Sequence, residues 1–527
     1  MNNKQISVNL IGSIVACLTM LAVSFFLTPY LVEALGDEAY GYIGMANNIV
    51  SYACIFTTAL NSMAARFVII ARAKGQTALV NEYYSSLFYA GAALAGAFVL
   101  VGAALALNAE RLFRITPSLV PAVRITFALS SLNYVLVALL SVFSVSAFAV
   151  NRLEETAKVE IVGNVLKAAF LVAVFTLLPP QIYYVSIGGV LYTLVVYLLH
   201  IRNTRRLLPD VRITRRAVRF GTIKTLVGSG IWNSMTHVIY LLMVGMDLVL
   251  ANWLLDGKAM GLLSVSMTIA LAMNSILTAV INAFKPSLTR LYAEGDYAAL
   301  RPAVLRTDRI QTLLMAVPIA GLMLFGRRFY QLWLPYKSAD EVAVLAAITS
   351  FKVLEQFANV STEAFQFNFT MYNRLKTPML TKLLFSLCNI PLVILLVKLT
   401  DNWKTGVYLV AGLSTVLFMA YYYGVVPRLS ARVTGEKTGA YYRCLGGLVA
   451  LFLLLVGMFF AIDRLAPQTG WAGFTLLVCC AGALGYAAMF ALGATRSEKR
   501  LLLEKLRRLV GKGNGNGKGE SGNGKEA

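Results

Sequence analysis

Residues 201–224, IRNTRRLLPDVRITRRAVRFGTIK, run straight into residues 225–255, TLVGSGIWNSMTHVIYLLMVGMDLVLANWLL. The first stretch carries eight Lys or Arg against a single acid, Asp210. The second is long enough to cross a bilayer, for which about 20 apolar residues suffice. Yet it holds Asn233, His237, Tyr240 and Asp247 within that length. A basic segment feeding a membrane-length helix with polar residues inside it reads as the seam between two halves of a polytopic membrane protein.

The rest of the chain has the composition this reading needs. Of 527 residues, 58% are hydrophobic and 14% charged, and the mean hydropathy is +0.69; soluble chains carry roughly a quarter charged residues. Apolar runs recur almost throughout. Fourteen candidate spans fall at roughly 8–32, 40–64, 84–107, 121–149, 159–179, 181–200, 225–255, 260–284, 309–335, 341–371, 377–398, 405–426, 442–463 and 469–494. The expected fold is therefore all-α. The first run, Val8 to Val32, is too long for a cleavable signal and is expected to remain as a span. Cys17, Cys54, Cys388, Cys444, Cys479 and Cys480 all lie in apolar runs, which gives neither a disulfide framework nor metal-ligand spacing.

The net charge is +22, but its distribution argues against a nucleic-acid partner. With the amino terminus placed inside, 35 of the 47 Lys and Arg fall in inside segments and nine in outside segments. Arg124, Lys167 and Lys352 are left in or just within spans. That asymmetry is the positive-inside pattern and puts both termini in the cytoplasm.

The chain also resembles itself. At an offset of 220, Leu35, Ala39, Gly41 and Ile49 meet Leu255, Ala259, Gly261 and Ile269, and Ala73, Gly75 and Ala78 meet Ala293, Gly295 and Ala298. At an offset of 222, Asn151-Arg152-Leu153 meets Asn373-Arg374-Leu375. Each unit holds an even number of spans, so the copies share orientation and an axis along the membrane normal. The expected organisation is a six-helix bundle over 1–200, a basic linker over 201–224, a second six-helix bundle over 225–430 and two additional spans over 431–495. A basic amphipathic helix over 496–510 and a low-complexity tail over 511–527 follow.

Polar residues within spans are costly and face a partner helix or a wet cavity. The tenth span is the richest: Lys352, Glu355, Asn359, Glu363 and Gln366 recur at helical spacing on one expected face. A Lys352–Glu355 pair one turn apart would neutralise itself and leave Glu363 unpaired. Asn47 and Asn133 add amides in the first half, and Asn233 adds one in the second. Asp247 has no acidic counterpart at offset 220, where Leu27 stands. Its two readings are a site for a coupling Na⁺ or H⁺ and structural pairing with a basic residue. Glu355 and His237 are the other ion-coupling candidates. Arg66 and Lys285 occupy equivalent ends of spans two and eight, as positive-inside anchors or as catchers of an anionic headgroup. With two histidines and no long outside loop, enzyme chemistry has no foothold, and no cofactor is expected beyond a coupling ion.

Residues 25–41, FFLTPYLVEALGDEAYG, resemble the first-span exit of the polysaccharide transporter family in the multidrug/oligosaccharidyl-lipid/polysaccharide (MOP) flippase superfamily, through Pro29, Leu35, Gly36, Tyr40 and Gly41. Arg66, Asp247 and the loop residues Phe284, Pro286, Leu291, Gly295 and Asp296 are similar to the family's as well. The resemblance spans roughly residues 5–500. It implies two six-helix bundles around a V-shaped cavity, as in the MATE-like members, in a bacterial cytoplasmic membrane. It also implies movement of undecaprenyl-pyrophosphate-linked oligosaccharide, an O-antigen, capsule or exopolysaccharide unit, from the inner to the outer leaflet. A polymerase and glycosyltransferases would then be partners, besides membrane lipids.

The physics suits that substrate, because each unpaired sugar hydroxyl in hydrocarbon costs several kcal/mol. An inside-negative potential also favours outward movement of negative charge, by about 2.3 kcal/mol per charge per 100 mV. In this reading Lys352, with Arg66 and Lys285 at the mouth, attracts pyrophosphate, while Asn359, Glu363, Asn233, Asn47 and Asn133 line the sugar path. The rivals are a Na⁺- or H⁺-coupled multidrug antiporter of the same superfamily and a non-transporting scaffold for glycan assembly.

Overall fold

A computed structural model describes residues 3–150, 152–467 and 470–494. The expected helix at 496–510 and the tail at 511–527 lie outside the described residues, as do the side chains of Arg66, Asn233 and His237. Fourteen long helical elements follow one another, with no strand among the described residues. The first six are α1 (Asn3–Leu35), α2 (Asp37–Ala73), α3 (Thr77–Leu107), α4 (Pro117–Ala149), α5 (Leu153–Leu177) and α6 (Tyr183–Leu207). The next six are α7 (220–254), α8 (Gly257–Ala293), α9 (Tyr297–Trp333), α10 (339–371), α11 (Lys376–Lys398) and α12 (Trp403–Thr434). Finally come α13 (Thr438–Leu465) and α14 (Trp471–Gly493).

Counted over the described residues, eleven of these elements are long and apolar enough to cross a membrane. The three outside that set are α2, α7 and α10, the elements carrying Asn47, Asp247 and the Lys352 group.

The repeat is written into the backbone. Helix α2 covers residues 37–73 and α8 covers 257–293, the same length shifted by 220. Gly75 and Gly295 end the following turns with φ of 70° and 72°, a left-handed conformation that glycine adopts without steric cost. Helix α4 breaks at the 3₁₀ turn Ser141–Ser144, and α10 breaks 220 positions later at Ser361 and Thr362. After the breaks the shift becomes 222: the Arg152 N–H donates to the Ala147 carbonyl at 2.8 Å, and the Arg374 N–H to the Phe369 carbonyl at 2.8 Å. The structure is thus two pseudo-symmetric six-helix bundles with α13 and α14 added. The added pair packs on α9. Arg328 of α9 fastens it, donating to Asp463 Oδ1 at 2.6 Å and to the Ala466 and Pro467 carbonyls at 2.9 and 2.8 Å.

The two halves meet along α2, which packs on both α7 and α8. Alternate crossing places the Arg- and Lys-rich turns at one end of the bundle, the basic end, and Asp37, Glu38 and Asp256 at the other, the acidic end. At the acidic end the halves are bolted together. Asn252 of α7 donates to Tyr42 Oη and to the Arg114 carbonyl, both at 3.2 Å, and its Oδ1 accepts the Arg114 N–H at 3.0 Å. Lys337 forms an ion pair with Asp37. Trp333 Nε1 donates to the Phe25 carbonyl at 2.9 Å, and Tyr336 Oη to the Pro29 carbonyl at 3.0 Å.

Close approach at this end depends on paired glycines. A Cβ on Gly41 would stand 3.0 Å from the Gly261 nitrogen, and one on Gly261 would stand 2.2 Å from the Asp37 carbonyl oxygen. Gly261→Ala must therefore force α2 and α8 apart and is expected to cost about 1–3 kcal/mol of stability. Gly457→Ala, with nothing within 4 Å of the new methyl, is expected to melt no lower than wild type. Melting curves in detergent check the pair, and equal melting of both variants would refute the contact.

Candidate functional site: a central cavity and a charged cluster

Beyond the bolted end α2 and α8 diverge, and a cavity of 740 Å³ opens between the halves, lined by α1, α2, α5, α6 and α8. At its upper limit Tyr40 Oη lies 3.2 Å from Thr268 Oγ1. Its polar lining includes Ser24 and Thr28 of α1, Asn47 of α2, and Asn274, Ser275 and Thr278 of α8. Among the described residues one charged side chain lines it, Lys167 of α5. A second cavity of 340 Å³ shares Met20 with the first and leads toward the basic end past Ser13, Cys17, Glu160, Asn164 and Tyr192. Glu160, Asn164 and Lys167 stand at i, i+4 and i+7 on α5 and so share its cavity-facing side. Of the expected site residues, Asn47 lies in this cavity. Asn133 does not line it: its amide stands 3.8 Å from where a Gly189 Cβ would be, between α4 and α6.

The expected charged residues of the second half gather elsewhere, inside its own bundle. Lys352 Nζ donates to Asp247 Oδ2 at 2.5 Å and to Ser414 Oγ at 2.9 Å, which joins α10, α7 and α12. Asp247 has no exposed surface and Lys352 is 5% exposed. Of the two readings of Asp247, the structure thus shows pairing with a basic residue. The partner of Lys352 is Asp247, where spacing along one helix suggests Glu355. Glu355 instead stands within electrostatic reach of both Lys352 and Lys382.

The expected single face from Lys352 to Gln366 is also divided. Helix α10 breaks at Ser361 and Thr362 and restarts at Glu363. The restart is capped from α9: Asp308 Oδ1, on a fully buried carboxylate, accepts the Ala364 N–H at 3.3 Å, a favourable place for negative charge. Across the break Gln366 Nε2 reaches back to Asn359 Oδ1 at 3.0 Å. Glu363 is not unpaired, since Lys285 Nζ lies 3.6 Å from its Oε1 and 5.7 Å from the Phe367 ring centre.

Two lysines escaped the sequence reading. Lys382 falls near the start of the expected span 377–398 and is not singled out there, yet it points into the second bundle and donates to Tyr422 Oη at 3.1 Å. The rings of Phe418, Tyr421 and Tyr422 surround it at 5.0–5.9 Å. Tyr421 and Tyr422 are turned toward it by a π-helical turn, Ala420–Val425, and another, Leu241–Gly245, lies just before Asp247. Lys167 was merely one of three cations left in spans. The signal that finds both is the repeat: at offset 222, Glu160, Asn164 and Lys167 of α5 meet Lys382, Ser386 and Asn389 of α11. The local bonding repeats as well, with Asn164 Nδ2 donating to the Glu160 carbonyl at 2.9 Å and Ser386 Oγ to the Lys382 carbonyl at 3.0 Å.

A third cavity, of 620 Å³, is almost wholly apolar and lies among α8, α9, α13 and α14, lined by Met273, Phe325, Phe329, Phe459 and Phe474. Met273 and Asn274 are adjacent residues, so a single helix, α8, separates this apolar groove from the polar cavity.

Removing one partner of a buried ion pair strands the other charge, at a cost of about 3–5 kcal/mol. Lys352→Ala is expected to destabilise the protein by that amount. Lys352→Ala combined with Asp247→Ala is expected to recover a large part of it. Unfolding free energies of both single variants and the double variant close the cycle, and strict additivity would refute the pairing.

No family model matches the chain. An uncharacterised membrane protein of Bacillus subtilis (strain 168), EpsK, is 25% identical over 513 residues, covering 96% of this chain and 99% of that one. Among solved structures, the lipid II flippase MurJ in an inward closed conformation aligns with a TM-score of 0.67 at 14% identity, covering 91% of this chain and 97% of that one. An inward-facing multidrug resistance MATE transporter of the MOP superfamily aligns at 0.64 and 13%, covering 79% and 95%. The chain is a multi-pass membrane protein with the fold shared by MOP-superfamily transporters and flippases.

Proposed function

We propose that this protein is a flippase that moves lipid-linked oligosaccharide between leaflets by alternating access of the two bundles. The observation that carries this reading is the pairing of cavities across α8: a polar chamber rich in hydroxyls and amides on one side, an aromatic-lined apolar groove on the other. A glycan headgroup needs hydrogen-bonding walls to leave water, whereas its prenyl tail never needs to leave an apolar environment. The bolted acidic end and the cavity leading toward the basic end correspond to an inward-facing state, if the basic end faces the cytoplasm as the charge asymmetry indicates. Working boundaries for the parts are 1–200, 201–224, 225–430 and 431–495.

In this reading Asn47 and the α8 amides and hydroxyls contact sugars, while Arg66 and Lys285 stand at the inner mouth. Lys352, held by Asp247 and Ser414, serves as an internal counter-charge and not as a headgroup contact in this state. An internal ammonium on Asp247 also argues against Asp247 as a site for a coupling Na⁺ or H⁺. The carrier is read as undecaprenyl pyrophosphate, and the setting as the bacterial cytoplasmic membrane beside polymerase and glycosyltransferases.

One observation favours a cation antiporter instead, namely the Glu160 carboxylate in the inner cavity. A leaflet-accessibility assay in proteoliposomes separates the two. Undecaprenyl-pyrophosphate-linked oligosaccharide is expected to become exposed to an outer-leaflet glycosidase only with the protein present. Efflux of a cationic dye driven by a Na⁺ or H⁺ gradient, without glycolipid movement, would overturn the flippase reading.

A further inference from the structure

We propose that Lys167 is the phosphate-binding residue of the central cavity, the group that holds the anionic phosphate of a lipid carrier midway through the bilayer. The inference rests on the flippase reading for its substrate class and on geometry for its site. Helix α5 begins at the basic end at Leu153 and spans 25 residues. At 1.5 Å per residue, Lys167 lies about 21 Å along a helix of about 37 Å, close to its middle. An ammonium at that depth is expensive and is retained where it has a partner or a task. Lys167 has no hydrogen bond or ion pair among the described residues, and it is half-buried and faces the cavity.

Its stem is positioned while its head is free. Its aliphatic chain lies against α6, with Lys167 Cγ 3.5 Å from where a Cβ on Gly188 would stand, an ordinary packing distance. The cavity that Lys167 shares offers further donors: the Ser24 hydroxyl, the amides of Asn47 and Asn274, and the Thr28 hydroxyl, which lies 3.5 Å from Tyr40 Oη. Neither amide nitrogen spends its hydrogens on another described residue. A cavity with one cation and several neutral donors in its lining suits a phosphate, which accepts several hydrogen bonds at once.

The surroundings also define where an anion stops. The other charged side chain on this wall, Glu160, lies seven residues nearer the basic end, about 10 Å along the helix. That distance is too long for direct pairing with Lys167. An anion entering from the basic end passes the Glu160 carboxylate, which repels it, before it reaches Lys167, which holds it. The lysines of the second half compete poorly for this task, because Lys352 and Lys285 are bound to Asp247 and Glu363, and Lys382 to Tyr422 within its ring of aromatics.

The test is equilibrium binding to the full chain in nanodiscs, with farnesyl pyrophosphate, farnesol and inorganic pyrophosphate as probes. Wild type is expected to bind farnesyl pyrophosphate. Lys167→Ala should weaken this by about 10- to 100-fold, the range for losing a charge-assisted hydrogen bond. Lys167→Arg should remain within about threefold, and farnesol binding should be the same in all three proteins. Inorganic pyrophosphate should show the same dependence on Lys167 at lower affinity, which separates a carrier-lipid phosphate from a free one. Unchanged binding in Lys167→Ala, equal loss for farnesol, or no binding by wild type would overturn the proposal. Melting curves exclude misfolding, with Lys167→Met as a second variant that keeps the stem. Lys167-dependent binding without any glycolipid flipping would sink the flippase reading alone. Flipping with unaltered Lys167→Ala binding would sink this site alone.

Discussion

Inside a bilayer there is no water to rescue a charge, and the carboxylate of Asp247 has no exposed surface at all. Its contact with Lys352 at 2.5 Å is the constraint around which the second bundle is arranged. Both groups lose their hydration, and mutual attraction restores it only if the geometry is held. Ser414 supplies that hold by accepting from the same ammonium. Three helices, α7, α10 and α12, are therefore fixed in register by one side chain. The Asp247 Oδ1 atom has no hydrogen-bond partner among the described residues, so within them the site is satisfied on one side only and depends all the more on the bond that exists.

The helix irregularities serve this arrangement. A π turn precedes Asp247, a break follows Asn359 and Val360, and a second π turn lies between Ser414 and the end of α12. Each one rotates the residues after it relative to those before it, so that polar side chains on one helix can face two different neighbours. The α10 break divides the charges into two groups, Lys352 with Asp247 above it and Glu363 with Lys285 below it. The apolar surfaces show no such interruption. The large core around Tyr42, Leu262, Tyr330 and Val410 crosses between the halves at the acidic end without a gap.

Span number and the twofold repeat were both legible in the sequence. Hydropathy reports burial in lipid directly, and a shared offset of 220 survives in helix lengths and in glycine turns. The pairing of charges was not legible. Periodicity along α10 places Glu355 one turn from Lys352, but it carries no information about which helix stands opposite, and there Asp247 wins. The break at Ser361 and Thr362 was hidden because neither proline nor glycine marks it; its stability comes from Asp308 on another helix. Lys382 was passed over for a different reason. It lies near enough to the basic end to satisfy the positive-inside rule, and only the tertiary structure shows it turned toward Tyr422.

The repeat explains why the cavity is charged as it is. Helices α5 and α11 carry polar residues at the same three positions, Glu160, Asn164 and Lys167 against Lys382, Ser386 and Asn389. The halves share the placement but not the chemistry: where one has a carboxylate the other has an ammonium, and where one has an ammonium the other has an amide. In the second half the cation is enclosed by Phe418, Tyr421 and Tyr422, and Asn389 is fully buried with neither side-chain polar atom bonded to another described residue. In the first half the same positions open onto the space between the bundles. A duplicated scaffold has in this way kept one copy of a polar helix as internal structure and turned the other to face the cavity.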